Sequence, residues 1–431
     1  GVFMEEERMD TERGARAVLV ALNDGGLTER ALSASLNELS RLLDTAGGSE
    51  AARVVQNAPS ADPKTYIGSG KAKEIAEFLR NDGNIDLVVF DNELSPSQIR
   101  NLEDILDVRV IDRTMLILDI FALHAVTGEG KLQVEIACLR YSAPRLTGKG
   151  KSLSRQGGTS GPIGSRGRGE SKLELDPRRI RERISALNAE LKNIEKTRAV
   201  NRSQRIRAGI PTAAIVGYTN AGKSTLLNRL TDAGILAEDK LFATLDPTTR
   251  RLTLPRGGEM LLTDTVGFID RLPTHLIKAF KSTLEEAVFA DIIIHLVDAG
   301  EPAEERTRKY GVTLRLLEEL GISGKPMLEV YNKMDAAVDT DFIPSAAVCI
   351  SAADGTGIDR LLDALEQTAE NGNHTVKLFI PHREAGAVSE LFERARVIER
   401  AYTDEGICLT VCCDEKTIGR YKQFIVNAFG K

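Results

Sequence analysis

The chain has 431 residues, of which 42% are hydrophobic and 28% are charged, and its formal net charge is −6. This length is about three times that of a usual domain, and the composition excludes a mainly disordered, collagen-like or disulfide-stapled chain. The average charge predicts no attraction to nucleic acid, but it hides an uneven distribution. Residues 140–207 hold 18 Lys and Arg against 6 Asp and Glu, a local excess of 12 positive charges.

The sequence gives no indication of secretion or of a membrane span. Five cysteines without a Cys-x-x-Cys pair favour a reducing compartment. The first residues lack the basic-then-apolar pattern of a signal peptide, since Gly1-Val2-Phe3-Met4 is followed by three glutamates. The most apolar run, residues 292–297, is too short to span a bilayer. We therefore expect a cytoplasmic monomer without an integral membrane span, and peripheral membrane association is left open.

Residues 1–114 are predicted to form a small N-terminal α/β domain. Apolar runs at 17–22, 85–90 and 108–111 predict buried strands. Stretches 27–46, 72–79 and 96–106 carry apolar residues at helical spacing. Because α and β patterns alternate along the chain, we expect an open sheet with helices packed on it.

Residues 115–208 are predicted to form a long antiparallel helical hairpin. A first amphipathic helix starts at Met115 and is interrupted near Gly128 and Gly130. A second helix, capped by Asp176-Pro177, carries a heptad seam of Leu173, Ile180, Ile184, Leu187, Leu191 and Ile194.

The tip of this hairpin, about residues 148–170, is predicted to be basic and glycine-rich. Residues 148–169 contain eight glycines interleaved with Lys and Arg and few large apolar side chains. Because Lys and Arg neutralise phosphates, the segment favours contact with a polyanion, although a solvated charged linker is the alternative. The candidate RNA contacts are Lys149, Lys151, Arg155, Arg166, Arg168, Lys172, Arg178 and Arg179.

A phosphate-binding loop follows. Gly217-x-x-x-x-Gly222-Lys223-Ser224 lies between an apolar run and an amphipathic run. Backbone N–H groups in such a loop form an anion nest at a helix N-terminus. Lys223 is predicted to reach the β- and γ-phosphates, and Ser224 Oγ to bind Mg²⁺. We expect nucleotide contacts from Gly217, Tyr218, Thr219, Asn220, Ala221, Gly222, Lys223, Ser224 and Thr225, with Asn220 also a candidate ligand for K⁺ or a plain helix-entry residue.

Two motifs at the ends of apolar runs predict how Mg²⁺ and the γ-phosphate are contacted. Asp264-Thr265-Val266-Gly267 follows the run 260–263. Its carboxylate can hold Mg²⁺ through water, and the Gly267 N–H can sense the γ-phosphate. Residues 241–249 must then contain a threonine that closes on Mg²⁺, with Thr244 the first choice and Thr248 the alternative. The flanking residues expected near the nucleotide are Phe242, Ala243, Leu245 and Asp246.

Asn332-Lys333-Met334-Asp335, after the run 327–331, predicts guanine selectivity. A carboxylate there accepts hydrogen bonds from guanine N1–H and N2–H₂, whereas adenine presents an acceptor at N1. Ser351-Ala352-Ala353 would place a backbone N–H near guanine O6. The predicted catalytic group is Lys223, Thr244 and Gly267. Phe268 stands where many signalling GTPases carry a water-positioning glutamine, so slow intrinsic hydrolysis is expected.

These motifs predict an α/β fold in which residues 209–370 form a P-loop GTPase domain with a doubly wound, mostly parallel sheet. Residues 371–431 are predicted to form a small C-terminal α+β domain with a strand at 376–380, a helix at 384–396, a hairpin around 404–406 and a last helix.

The motifs resemble those of the HflX family of translation-factor-class GTPases. The similar stretches are Gly217-Tyr-Thr-Asn-Ala-Gly-Lys-Ser224, Phe242-Ala-Thr-Leu-Asp-Pro247, Asp264-Thr-Val-Gly-Phe268, Asn332-Lys-Met-Asp335 and Tyr66-Ile-Gly-Ser-Gly-Lys71. Arg166-Gly-Arg-Gly-Glu-Ser-Lys-Leu-Glu-Leu-Asp-Pro-Arg-Arg179 is similar to the family's Gly-Pro-Gly-Glu-Thr-Gln-Leu-Glu-x-Asp-Arg-Arg stretch. Here Arg168, Ser171 and Lys172 replace Pro, Thr and Gln, and Pro177 is inserted. The resemblance covers nearly the whole chain.

The resemblance implies a GTP hydrolase that binds the large ribosomal subunit and, under stress, splits or rescues ribosomes, with the hairpin tip on ribosomal RNA. Two alternatives stay open: a GTP-driven RNA-remodelling or RNA-modifying enzyme, and a GTP-switched regulator that docks proteins through the heptad helix without RNA.

Overall fold

The computed structural model describes residues 14–146, 177–208, 210–231, 241–242, 245, 247–272, 281–322, 324–371, 374–384, 386–388, 391, 395–403, 405–413 and 415–426. The chain forms two compact units. The first comprises Gly1–Leu191, Asp239–Leu245 and Leu272–Phe280, and the second comprises Lys192–Glu238, Asp246–Arg271 and Lys281–Lys431.

The first unit contains a four-stranded parallel sheet in the order β2-β1-β3-β4. The strands are β1 (Arg16–Asn23), β2 (Ser49–Asn57), β3 (Leu87–Phe90) and β4 (Arg109–Asp112). Its helices are α1 (Glu29–Thr45), α2 (Ser69–Asp82), α3 (Pro96–Leu106), α4 (Arg113–His124) and α5 (Gly128–Leu146). All four residues of β3 are buried, which is typical of a parallel strand covered on both faces.

Local sequence signals account for the helix boundaries in this unit. Helix α3 begins with a capping box between Ser95 and Gln98, with Pro96 in its first turn. Helix α4 begins where the Asp112 side chain accepts a hydrogen bond from the Met115 N–H. The helix expected to start at Met115 is divided at residues 125–127, close to the predicted interruption at Gly128.

Helix α6 (Pro177–Ala208) carries the heptad seam. Ile180 and Leu187 are buried, and Ile184 is half-buried. An ion pair of 2.8 Å joins Arg183 Nε of α6 to Glu135 Oε1 of α5. Leu173 and the tip, residues 147–176, lie outside the described residues.

The second unit contains a six-stranded sheet in the order β10-β9-β8-β5-β7-β6, parallel except for the β6–β7 pair. The strands are β5 (Thr212–Gly217), β6 (Thr248–Thr253), β7 (Glu259–Asp264), β8 (Ile292–Asp298), β9 (Met327–Asn332) and β10 (Val348–Cys349). Its helices are α7 (Lys223–Thr231), α8 (Lys281–Phe289), α9 (Ala303–Glu319) and α10 (Ile358–Asn371). The expected α/β class with a mostly parallel GTPase sheet is confirmed.

The sheet positions its polar side chains at the carboxyl ends of its central strands. After β5 the chain forms β6 and β7 on one side, and β8 then pairs on the other side. Ligands of open α/β sheets bind outside the strand carboxyl ends at such a change of direction. The core beneath is apolar, with Ile215, Leu226, Leu262, Ile294 and Val330 all buried.

The second unit also holds a three-stranded antiparallel sheet, ordered β11-β13-β12. It consists of β11 (His374–Pro381), β12 (Arg396–Tyr402) and β13 (Gly406–Cys413), followed by α11 (Glu415–Arg420). The helix expected over residues 384–396 is wrong at its carboxyl end, because Arg396 opens β12 and pairs with Cys412. In the part of the chain that the structure describes, no helix is long and apolar enough to cross a membrane.

Candidate active site

The phosphate-binding loop joins the end of β5 to the start of α7. Two of its residues have left-handed backbones, Asn220 with φ +63° and Gly222 with φ +91°. A Cβ at Gly222 would lie 2.3 Å from Asn332 Nδ2, so both the backbone angle and the close approach require glycine here. Left-handed residues of this kind occur in anion nests, so the backbone of the loop fits the predicted phosphate contact.

Lys223 is held inside this loop. Its side chain is 7% exposed, and its Nζ donates a hydrogen bond of 3.0 Å to the Tyr218 carbonyl. Burial lowers the pKa of Lys223 to about 8, a shift that Asp264 opposes and Lys333 reinforces. The ammonium is therefore short of counter-charge, and a phosphate group would supply it.

We expect the affinity for GDP to fall about fourfold between pH 7.0 and pH 8.5, because Lys223 loses its proton in that window. Bound phosphates favour the ammonium and raise its pKa, so binding takes up a proton and weakens as the pH rises past 8. Calorimetry in two buffers of different ionisation enthalpy measures this uptake. Equal affinity across the window, with no proton uptake, would contradict the assignment.

Ser224 and Asp264 form the oxygen-rich side of the site. Ser224 Oγ donates a hydrogen bond of 2.6 Å to Asp264 Oδ2 at the end of β7, where Asp264 is 1% exposed. A hydroxyl and a carboxylate in contact are ligands of the type that Mg²⁺ prefers. These two residues therefore fit a magnesium ion beside the phosphates.

The segment after Asp264 is pinned to the phosphate-binding loop. Phe268 donates from its N–H to the Gly217 carbonyl at 3.0 Å and accepts from the Thr219 N–H at 2.7 Å. A Cβ at Gly267 would lie 2.9 Å from Lys223 Nζ, so the backbone there passes close to the ammonium. Phe268 is 1% exposed. This side chain is apolar and enclosed, and it cannot orient an attacking water.

The motifs predicted to recognise the base are joined through Asn332. Its Nδ2 donates to the Ala221 carbonyl at 2.8 Å, and its Oδ1 accepts from the Ala352 N–H at 2.9 Å. Ser351 Oγ donates to Asp335 Oδ1 at 2.7 Å. The loop with Ser351, Ala352 and Ala353 thus orients a carboxylate that is otherwise exposed and open to a ligand.

Arg229 is a residue of this site that the sequence motifs did not indicate. It lies on α7, and its guanidinium donates to the Ala352 carbonyl at 3.0 Å and also to the Ala353 carbonyl. At this position the sequence shows a basic residue about two turns after the loop, and basic residues are common on exposed helix faces. Its contacts hold the Ser351–Ala353 loop against α7.

The segment expected to close on Mg²⁺ is only partly described. Leu241, Phe242 and Leu245 are buried in the first unit, where the Leu241 N–H donates to Thr45 Oγ1 at 3.3 Å. The Phe242 ring packs edge-to-face on Phe121, with 4.7 Å between centroids. Ala243, Thr244 and Asp246 lie outside the described residues. Thr248, the alternative threonine, opens β6 opposite Asp264.

Of the candidate RNA contacts, the structure describes Arg178 and Arg179, both exposed on the first turn of α6. Lys149, Lys151, Arg155, Arg166, Arg168 and Lys172 lie outside the described residues. Their predicted role stays a prediction.

A separate cavity of about 730 Å³ lies in the first unit at the ends of β1 and β2. Polar residues such as Asn23, Asp24 and Asn57 line it. The residues that line this cavity belong to none of the predicted nucleotide motifs, so the candidate site stays with the loops of the second unit.

Three parts of the chain match models of known protein families. Residues 33–122 match a family model described as GTP-binding GTPase N-terminal. Residues 124–205 match a second model, described as GTP-binding GTPase middle region. Residues 212–333 match a third model, described as 50S ribosome-binding GTPase.

Similar relatives carry the name GTPase HflX. One, from Lacrimispora saccharolytica, is 50% identical over 91% of this chain and 92% of its own length. Another, from Caldanaerobacter subterraneus subsp. tengcongensis, is 45% identical over 99% of this chain and 97% of its own length. A crystal structure of a GTP-binding protein from Sulfolobus solfataricus in complex with GDP is 25% identical over 82% of this chain and 98% of that chain, with a TM-score of 0.42.

The matched domains and the relatives indicate hydrolysis of GTP to GDP and phosphate, an activity that typically uses Mg²⁺. With its phosphate-binding loop, its guanine motif and this degree of identity over most of its length, the chain belongs to the HflX family of GTPases.

Proposed function

We propose that this GTPase binds the large ribosomal subunit in its GTP state, in the cytoplasm, and acts as a ribosome-splitting or rescue factor under stress. Hydrolysis of GTP then drives its release. The observation that carries the proposal is the match of residues 212–333 to a family described as 50S ribosome-binding GTPases. The excess of 12 positive charges over residues 140–207 supports it, because phosphate backbones attract such a segment.

Within the site, each motif has one proposed role. Lys223 contacts the β- and γ-phosphates, and the Gly267 N–H senses the γ-phosphate. Asp335 selects guanine, with the Ala352 N–H near O6. Mg²⁺ would be held by Ser224, by Asp264 through water and by Thr244, and when bound it would neutralise charge on the phosphates. K⁺ beside Asn220 is a further part of the proposal, tested by comparing hydrolysis in K⁺ and in Na⁺.

The enclosed Phe268 bears on how hydrolysis is controlled. A group that orients the attacking water has to come from another part of the chain or from the bound ribosome, since Phe268 offers no polar atom on its side chain. If hydrolysis is slow in the isolated protein, the protein stays GTP-bound long enough to bind the large ribosomal subunit.

In sedimentation assays we expect the full chain to migrate with large subunits in the presence of a non-hydrolysable GTP analogue and to separate from them with GDP. Deletion of residues 148–169 should abolish this binding and leave basal hydrolysis intact. The deleted residues lie outside every nucleotide motif. Failure of the intact chain to migrate with large subunits in either nucleotide state would overturn the proposal.

The salt dependence of binding tests whether RNA phosphates are the partner. The double variant Arg178→Ala/Arg179→Ala should weaken binding and reduce the slope of log affinity against log salt by about 1 for each phosphate that is no longer neutralised. Arg360→Ala is the matched control, because Arg360 is an exposed arginine on α10 outside the basic segment. A flat salt dependence would favour a protein-docking regulator, and chemically altered RNA would favour a modifying enzyme.

A further inference from the structure

A small cavity lies beneath the phosphate-binding loop, between the loop, β8 and α9. Its volume is about 20 Å³, and Thr219, His295 and Glu301 are among the residues that line it. A space of this size holds about one water molecule, provided that the lining offers two to four polar partners.

The lining meets that condition. Among the described residues, Thr219 Oγ1, His295 Nδ1 and Glu301 Oε2 are buried atoms with no hydrogen-bond partner in the protein. His295 is 1% exposed and Thr219 is 5% exposed. Buried polar atoms are almost always hydrogen-bonded, so three such atoms around one cavity point to a shared ligand.

The three atoms have complementary hydrogen-bonding roles. Burial lowers the pKa of His295 to about 4, so at neutral pH its ring is uncharged and carries one acceptor nitrogen. The Glu301 carboxylate can only accept, and its other oxygen, Oε1, is paired with Lys309 Nζ. The Thr219 hydroxyl can donate. One donor and two acceptors match a molecule that accepts one hydrogen bond and donates two.

We propose that one buried water molecule occupies this cavity, accepting from Thr219 Oγ1 and donating to His295 Nδ1 and Glu301 Oε2, and that His295 is a positioning residue for the phosphate-binding loop. The inference rests on the proposed function, in which residues of this loop contact the nucleotide. The water would support the same loop through Thr219.

The surrounding contacts explain how this support reaches the phosphates. Thr219 donates its N–H to the Phe268 carbonyl, next to Gly267. The neighbouring Tyr218 ring lies 4.9 Å from Lys309 Nζ, and its hydroxyl accepts from the Asp270 N–H at 2.8 Å. The Tyr310 ring packs on the His295 ring with 4.7 Å between centroids, which holds the imidazole in place. Lys309 and Tyr310 of α9 therefore contact Tyr218 and His295 directly. The proposed water would link His295 of β8 and Glu301, which precedes α9, to Thr219.

The test compares two substitutions at His295. His295→Leu removes the acceptor and should weaken binding of both GDP and a GTP analogue by roughly tenfold, because the loop loses one anchoring hydrogen bond and the water loses a partner. His295→Asn retains an acceptor oxygen near the Nδ1 position and should restore affinity to within about twofold. Fluorescent-nucleotide titration measures both, with thermal unfolding of the nucleotide-free variants recorded in parallel.

Two further variants sharpen the test. Thr219→Val replaces the hydroxyl with a methyl group, which removes the proposed donor to the water, and should resemble His295→Leu. Thr313→Val is the matched control, since Thr313 lines the same cavity but its hydroxyl already donates to the Lys309 carbonyl at 3.1 Å. A role confined to stability would lower the melting temperature in His295→Leu and leave nucleotide affinity unchanged, which would overturn the proposal.

A measurement on the unmodified protein is independent of folding in the variants. In ¹⁵N-histidine-labelled full chain, the proposal requires His295 Nδ1 to be unprotonated with the chemical shift of a hydrogen-bonded acceptor. A protonated Nδ1, or an unprotonated Nδ1 with the shift of a free acceptor, would overturn it.

Discussion

Asp335→Asn is expected to weaken GTP binding by roughly 10²- to 10⁴-fold, because two charge-assisted hydrogen bonds to guanine are lost, each contributing about 1.5–3 kcal/mol. An Asn side chain offers one acceptor and one donor in place of two acceptors. That pattern matches xanthine, which keeps N1–H but carries a carbonyl at C2. The variant should therefore gain affinity for xanthosine triphosphate as it loses affinity for GTP.

Competition titrations with GTP, ATP and xanthosine triphosphate measure this change of specificity. Asp341→Asn is a suitable control, because Asp341 is an exposed aspartate six residues along the chain and outside the motif. Ser351→Ala should give a smaller loss in the same direction, since the Ser351 hydroxyl orients the Asp335 carboxylate at 2.7 Å. An unchanged preference for GTP over ATP in Asp335→Asn would refute the base-recognition assignment.

Lys223→Ala is expected to reduce GTP affinity by at least about 100-fold and to bring hydrolysis to background, because the charge that meets the β- and γ-phosphates is removed. Burial already disfavours this ammonium in the free protein, as its lowered pKa shows. The Lys223→Ala substitution therefore removes a buried cation whose desolvation costs free energy in the nucleotide-free protein. We expect the fold to survive the substitution.

Circular dichroism and thermal unfolding without nucleotide separate loss of function from loss of fold in Lys223→Ala. Lys73→Ala, an exposed lysine on α2, controls for the loss of one positive charge. Retained nucleotide affinity in the Lys223→Ala variant would contradict the proposed phosphate contact. A collapse of the fold would show that the hydrogen bond to the Tyr218 carbonyl matters more than the desolvation.

The position of the candidate site can be predicted from the sequence because its motifs follow strands with clear apolar runs. Asp264 and Asn332 end β7 and β9, and a parallel sheet brings the carboxyl ends of its strands to one edge. The bond between Ser224 and Asp264 spans 40 residues, yet both belong to motifs that are recognisable in isolation. A local motif is enough to predict a contact when the sheet topology determines where the two motifs meet.

Other features depend on contacts that no local pattern encodes. Strand β2, Ser49–Asn57, is not predicted from the sequence, because it lies at the sheet edge, its polar and apolar residues do not alternate, and none of its residues is fully buried. The sequence motif does not reveal that the Phe242 ring packs on Phe121 or that the Leu241 N–H donates to Thr45 Oγ1, both within the first unit. His295 reads as one more residue of a buried strand, and its polar neighbours come from α9.

The two hydrogen bonds of Asn332 have a thermodynamic consequence for ligand design. A single amide side chain connects the Ala221 carbonyl in the phosphate-binding loop to the Ala352 N–H in the loop proposed to contact the base. Ordering either loop therefore lowers the entropic cost of ordering the other. A fragment that fills only the base pocket, or only the phosphate pocket, has to immobilise both loops alone. Joining the two fragments should thus yield an affinity greater than the product of their separate binding constants would suggest.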